Sequence, residues 1–407
     1  MTTLAPPALI FFCNSILFVS LFTRLPAIQA GLGVDKAILG LSLLGAPIGT
    51  LVALSVAGRI TERLTPRITA TLFLAFCAVI MPLITIAPIM PFFLLFIVYG
   101  FLRTIMDVAT NMIATGTERR TGVKVLSRSH GFWSVGLLMG SLASGFVAAR
   151  EVSPFIHQSA ASALVLVACL IILRITPKES SAPETRPDAK RSTIFVLPDR
   201  TILLVCVMVF GICITEGAIY DWGIFFLQER AGADAATAGI IYASFTLGMG
   251  LTRLCGDWLR QRYGTMTLVR GSALMVIAGL CGMLVTPGLL LTGVAFFVIG
   301  CGIALGYPLA VATTIERGKG APADNLAALA LTLMLSTIGV PPVLGFVAET
   351  FGLLASFALL LPFAALSFSW RRFRKGRNRA FVRAGVAQRD SMRGAAADLA
   401  AATGRPT

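Results

Sequence analysis

The sequence predicts an all-α membrane protein, with twelve transmembrane helices in two related six-helix bundles. Three observations lead there. Of the 407 residues, 56% are hydrophobic and only 13% are charged. The mean hydropathy is +0.85, and a soluble chain carries roughly twice that share of charge. Apolar runs long enough to cross a bilayer follow one another along the chain. The second half repeats landmarks of the first in register.

The spans fall near 6–23, 37–57, 68–87, 91–115, 129–149, 155–174, 201–227, 236–254, 267–286, 289–312, 324–347 and 351–370. With the N-terminus in the cytoplasm, 29 of the 34 Lys and Arg fall on the cytoplasmic side. Arg24, Lys36, Arg150 and Arg230 fall opposite, and Arg103 lies inside a span. This asymmetry is the one that orients inner-membrane proteins, and an even number of spans returns the C-terminus to the cytoplasm. The first span lacks a preceding basic region and a clear small-residue cleavage site, so it reads as a helix rather than a removed signal peptide.

The net charge of +15 does not point to nucleic acid, because the basic residues sit in short clusters between apolar spans. Eight cysteines fall singly, with no CxxC; they read as small core residues, not disulfides or metal ligands. No Walker loop, HExxH or nucleophile elbow occurs, and there are two histidines. The sequence therefore predicts neither an enzyme nor a cofactor or metal site.

Four regions follow: an N-terminal bundle (1–175), a linker (176–199), a C-terminal bundle (200–370) and a basic tail (371–407). The linker contains PKESSAPETRPDAKRS, whose Pro, Ser and charge favour a flexible connection. The tail opens WRRFRKGRNR, suited to anionic lipid head groups, and its Ala-rich remainder is expected to be disordered. The repeat has an offset near 200. Gly58 matches Gly256, Glu118-Arg119 matches Glu316-Arg317, Ser134 matches Thr332, and Gly145-Phe-Val-Ala recurs from Gly345. Together these support an internal duplication.

The loop after the second span reads GRITERLTPR, Gly58 to Arg67. An acid and arginines at a helix end can make charge-assisted bonds to a neighbouring bundle, and a glycine permits close approach. The second copy, GDWLRQRYG, runs from Gly256 to Gly264 and places its acid at Asp257. Here the chain resembles the major facilitator superfamily of secondary transporters, whose loop reads Gly-x-Leu-x-Asp-Arg-x-Gly-Arg-Arg or close to it. Gly58, Ile60, Glu62, Arg63 and Arg67 fit; Glu62 replaces Asp, Thr65 the second Gly, and Pro66 a basic residue. The resemblance covers the chain to about Arg371. It implies a cytoplasmic latch made of Gly58, Glu62, Arg63, Arg67, Glu118 and Arg119, with Gly256, Asp257, Arg262, Glu316 and Arg317 in the second half. The plainer alternative is a set of topology anchors.

Span four ends in RTIMDVATNMIATGTER, Arg103 to Arg119. Spacing of about 100° per residue gathers Arg103, Thr104, Asp107, Thr110, Asn111, Thr115 and Glu118 in an arc of roughly 140°. Charge at bilayer depth faces a protein interior or a water-filled cavity. Arg103 and Asp107 are then a structural pair or the lining of a substrate path.

Span seven holds Glu216 near mid-membrane, and Asp221 nearer the outside. Five residues apart, the two lie about 140° apart on an unbroken helix; a break at Gly217 or Gly223 would bring them together. Tyr220 shares the Glu216 face. Glu216 has no basic residue one turn away, which makes it the candidate proton carrier. These groups, Arg103, Asp107, Asn111, Glu216, Tyr220 and Asp221, form the expected substrate and proton pathway.

The span-four stripe and the span-seven acids also resemble a branch of bacterial inner-membrane facilitators, distantly like proton-coupled sugar permeases, that fixes no substrate. In span five, His130, Ser134, Ser141 and Gly145 share a narrow arc, and Gly136-x-x-x-Gly140 suits tight packing. That span lacks the Gly-Pro of the superfamily's drug antiporters, which weighs against drug efflux. His130 reads as an interfacial residue. Gly300, Gly302, Gly306-Tyr307-Pro308 and Pro341-Pro342 mark places where helices bend or pack closely.

The expected function is proton-coupled transport of a small solute by a monomer in the bacterial inner membrane. A non-transporting sensor on the same scaffold and a drug or metabolite exporter are the alternatives.

Overall fold

Among the described residues, four helices begin where a polar side chain takes up an orphan backbone N–H group. Asp35, Ser153, Asp199 and Asp234 accept hydrogen bonds from the N–H groups of Ile38, Ile156, Ile202 and Thr237, the standard side-chain solution at a helix start. The computed structural model describes residues 4–123, 125–177, 198–285, 288–318 and 322–369. Residues 178–197 of the central linker and the basic tail lie outside the described residues, as do the side chains of Asp257 and Glu316.

The first half comprises α1 (Ala5–Phe22), α2 (Leu25–Leu32), α3 (Lys36–Leu43), α4 (Gly45–Leu64), α5 (Pro66–Ile84), α6 (Ile89–Thr121), α7 (Leu126–Ala148) and α8 (Pro154–Ile175). The second comprises α9 (Arg200–Phe225), a π-helical turn (Phe226–Arg230), α10 (Ala235–Leu254), α11 (Gly256–Tyr263), α12 (Thr265–Val285), α13 (Leu289–Ile303), α14 (Gly306–Arg317), α15 (Pro322–Thr337), α16 (Val340–Ala358) and α17 (Leu361–Ser369).

Among the described residues, eleven helical stretches are long and apolar enough to cross a membrane. The last runs from Ala328 to Phe368 over 41 residues. It contains a non-helical Gly352 at φ 84°, so one stretch holds two crossings. The expected twelve-helix, two-bundle fold is present. Span two is divided at Leu44, span ten at Ala304–Leu305, and span eleven at Ile338–Gly339, just before Pro341-Pro342.

The duplication is visible in the packing. In the first half α4 lies on α6 at Gly49 and Gly100; in the second α10 lies on α13 at Gly248 and Gly300. In each pair the missing side chains let one backbone approach the other, since an added Cβ would strike a carbonyl of the facing helix. In lipid, where burial drives little association, such close packing is a main source of helix–helix affinity. Gly136 and Gly140 also lie close on α1; a Cβ at Gly136 would stand 2.7 Å from the Phe12 oxygen, and one at Gly140 would meet the Val19 and Ile16 side chains.

The bundles meet at two seams, α7 against α10 and α3 against α16. Both copies of the Gly-Phe-Val-Ala repeat serve there. A Cβ at Gly145 would lie 3.0 Å from both Ala236 O and Gly239 Cα, and one at Gly345 would meet Lys36 O and Trp222. A Cβ at Gly40 would lie 2.6 Å from the Pro341 oxygen. Polar bonds seal the same end. Lys36 Nζ pairs with Glu229 at 2.9 Å, and the Lys36 N–H donates to Glu349 at 3.0 Å. Toward the opposite end, α4 has no comparable packing on α15 among the described residues. A cavity of about 310 Å³ lies between α4, α6 and α15.

Candidate functional site

The interior polar groups described below come from six helices, and α6 supplies the first cluster. Arg103 and Asp107 face the 310 Å³ cavity together with Thr50 and Thr104. Their one-turn spacing places Arg103 Nε 3.8 Å from Asp107 Oδ2, a loose pair with a third of each side chain exposed. The guanidinium also stands over two rings, 5.4 Å from the centroid of Phe18 and 5.2 Å from that of Trp133. A desolvated cation gains from such faces. Asn111 follows one turn on, its Oδ1 buried without a hydrogen-bond partner among the described residues. Thr110 departs from the expected arc. It is fully buried and bonds back to the Met106 carbonyl.

The second cluster is built on α9. Tyr220 donates to Glu216 at 3.1 Å, as their four-residue spacing predicts. Asp221 lies on another side of the same unbroken helix, so neither Gly217 nor Gly223 brings the two acids together. One expectation is corrected. Glu216 does have a basic partner: Arg253 Nη2 of α10 lies 3.2 Å from its Oε1. Arg253 also donates to Ser134 of α7 at 3.4 Å and to the Ala304 carbonyl at 3.3 Å. Arg253 falls at the end of the span expected over 236–254, and it occupies the last turn of α10. The Glu216–Arg253 contact is closer than Arg103–Asp107, which reverses the contrast drawn from sequence spacing.

Tyr220 stacks edge-on against Phe18 at 5.3 Å, and Phe18 also lies under Arg103. The two charge clusters therefore share one aromatic wall across the two halves. Asn14 of α1 was missed in the sequence. It is fully buried, with neither amide atom hydrogen-bonded among the described residues. An Asn within an 18-residue apolar span is the signal that could have found it. Trp133 and Phe18 carried no such signal, because an aromatic in a span is ordinary. His130 is exposed and lies against Phe11 at 4.3 Å, in keeping with an interfacial role.

Arg67 and Glu118 of the expected latch make their bonds within their own half. Arg67 donates to the Leu173 carbonyl within its own half. Glu62, Arg63, Arg119 and Arg262 are exposed. Glu118 accepts from the Val125 and Leu126 N–H groups at 2.6 and 2.8 Å, so it caps the start of α7 instead of reaching the other bundle. Gly58 has open space where close approach was expected, whereas a Cβ at Gly256 would meet Leu305 at 2.9 Å. Arg317 ends α14.

Two six-helix bundles around interior charge pairs define the architecture of a polytopic membrane transporter. The sequence model of the Major Facilitator Superfamily matches residues 8–329, and the chain belongs to that family. It is 28% identical over 361 residues to an uncharacterized transporter, y4wD, of Sinorhizobium fredii, covering 88% of this chain and 94% of that one. An uncharacterized MFS-type transporter of Yersinia pestis is 26% identical, with 84% and 88% covered. Among solved structures, a mutant form of the nucleoside transporter NupG superposes with a TM-score of 0.73 at 16% identity, over 92% of this chain and all of that one. A D-xylose–proton symporter superposes at 0.68 and 13% identity, with 91% and 96% covered. These likenesses establish the fold and membrane transport as the family's activity.

Proposed function

We propose that this chain carries a small solute across the bacterial inner membrane by alternating access, coupled to protons, with both termini in the cytoplasm. The observation that carries the reading is the Glu216–Arg253–Ser134 connection, which joins a carboxylate on α9 to a hydroxyl on α7 through one arginine. Protonation of Glu216 would remove its attraction for Arg253 and loosen that link between bundles. Arg103, Asp107, Asn14 and Asn111 then offer a cation, an acid, the Asn14 amide and the Asn111 Oδ1, these last two without hydrogen-bond partners among the described residues, to a polar solute, with Phe18 and Trp133 as its aromatic wall.

In this reading the bundles 1–175 and 200–370 rock as bodies, joined by 176–199, while the tail from 371 meets anionic lipid. The end sealed by Lys36, Glu229 and Glu349 is the outer one, so the structure stands for the inward-facing state. The latch residues Glu62, Arg63 and Arg67 would close against the second copy, Asp257 and Arg262 included, when the protein turns outward. The D-xylose–proton symporter neighbour supports the proton, and it and the nucleoside transporter support the polar solute, as expectations for this chain.

The test has two steps. Thermal stabilisation of purified protein by a library of sugars, nucleosides and organic acids identifies a ligand. That ligand is then added to proteoliposomes enclosing a pH-sensitive dye. Solute-dependent proton movement is expected in the native protein and is absent in Glu216→Gln. Solute uptake without proton movement would overturn the coupling.

A further inference from the structure

The sealed end holds a second cavity, separate from the Arg103–Glu216 site. It has a volume of about 340 Å³ and is walled by Thr23, Arg24, Ser144 and Gly145 from one bundle and Gln228 and Gly239 from the other. Arg24 is its sole charged lining residue and is only 7% exposed. Its Nη2 donates to the Val152 carbonyl at 2.5 Å. Its Nη1 is buried with no hydrogen-bond partner among the described residues. Among the described residues no carboxylate lies within ion-pair distance of it, and burial pushes its pKa below the ordinary arginine value. A guanidinium cannot shed its proton at physiological pH, so an unpaired buried one is left short of a counter-charge.

Two pairs of neighbouring groups are occupied with each other, while His157, buried within electrostatic range of Arg24, keeps an Nδ1 with no hydrogen-bond partner among the described residues. The Thr23 and Ser144 hydroxyls stand 2.5 Å apart, and Lys36 and Glu229 neutralise one another nearby. The volume lies at the low end of small-molecule pockets.

We propose that this outer cavity is an anion site, in which Arg24 binds a small monovalent anion such as a short carboxylate. Because both bundles contribute walls, the bound anion stabilises the sealed arrangement of this end. A ligand that binds one of two states shifts the population toward it. The site is therefore a control point, independent of which solute is transported and of whether transport is proton-coupled.

The experiment is thermal unfolding of the purified, full-length protein in detergent, titrated with sodium acetate at constant ionic strength. Arg24→Gln and Ala27→Leu are run beside it. Glutamine keeps a donor for Val152 without the charge. Ala27 is exposed at the cavity wall, so leucine there narrows the entrance while leaving Arg24 intact. A saturable rise of about 3 °C or more is expected in the native protein. Each variant should lose it. An equal rise in native protein and Ala27→Leu, or no saturable rise in the native protein, would overturn the proposal. If Arg24→Gln does not fold, the comparison with Ala27→Leu still decides.

Discussion

Glu216 and Arg253 each leave a charge inside the protein if the other is removed. For a fully buried pair, losing one partner costs about 3–5 kcal/mol. Here the side chains keep 21% and 24% exposure, so a smaller loss is expected from either single change. Arg253→Gln and Glu216→Gln should each lower the unfolding temperature, and the double variant should lose less than the sum of the two. A coupling of about 0.5–3 kcal/mol is the range for groups in direct contact; strict additivity in thermal unfolding would mean that the pair does not interact. The functional expectation differs. Glu216→Gln should abolish gradient-driven accumulation of the identified solute while solute exchange persists, because a permanently neutral group mimics the protonated form. Proteoliposome accumulation and exchange assays separate these outcomes.

At the scale of the element, the loop between α4 and α5 contains a local conflict. Thr65 stands where the superfamily's pattern has glycine, and it adopts φ 74° and ψ 145°. Its counterpart in the second copy, Gly264, adopts φ 76° and ψ 157°. That region is close to glycine-only, and occupying it costs on the order of 1–3 kcal/mol. Thr65→Gly should therefore stabilise the protein despite the entropy that a glycine loses on folding. A net gain of about 1 kcal/mol, read as a rise of roughly 2 °C in thermal unfolding, is expected; a fall would mean that the threonine side chain supports the loop.

A second element-scale expectation concerns the start of α10. Asp234 accepts from Thr237 N–H at 2.7 Å, and that bond holds its carboxyl below the ordinary aspartate value. A depressed folded-state pKa means that the cap's contribution is complete above the unfolded value, about 3.9. It is lost as pH falls through the folded one. Asp234→Ala should speed hydrogen exchange in the first turn of α10 at neutral pH, and the native protein should approach the same rate only in acid well below pH 4. Equal exchange of the two proteins at neutral pH would deny the cap any role.

Over the whole molecule, the charge asymmetry predicts where impermeant reagents reach. Cysteines introduced at Ser180 and Ser192, in a background lacking the native eight, should resist such a reagent in intact cells. A cysteine at Arg230, exposed at the sealed end, should react. Ala233 on the same turn is a poor reporter because only 5% of it is exposed. Labelling of Ser180→Cys from outside would overturn the orientation proposed here.

The sequence by itself determined the class, the number of crossings and the duplication. Hydropathy, basic residues between spans and the loop motif are local properties, and bilayer thickness makes them decisive. It also located one half of each charge cluster, since Arg103–Asp107 and Glu216–Tyr220 follow from four-residue helical spacing. Tertiary structure decided the partners. Arg253 reaches Glu216 from 37 residues away, and Ser134 from another bundle, because helices that are distant in sequence are pressed together at glycine seams. It likewise turned Glu118 from an expected latch group into a cap, and left Arg24 buried beside a cavity without a counter-charge. Periodicity places a side chain on a face of its own helix; which surface that face meets is fixed only when all the helices pack.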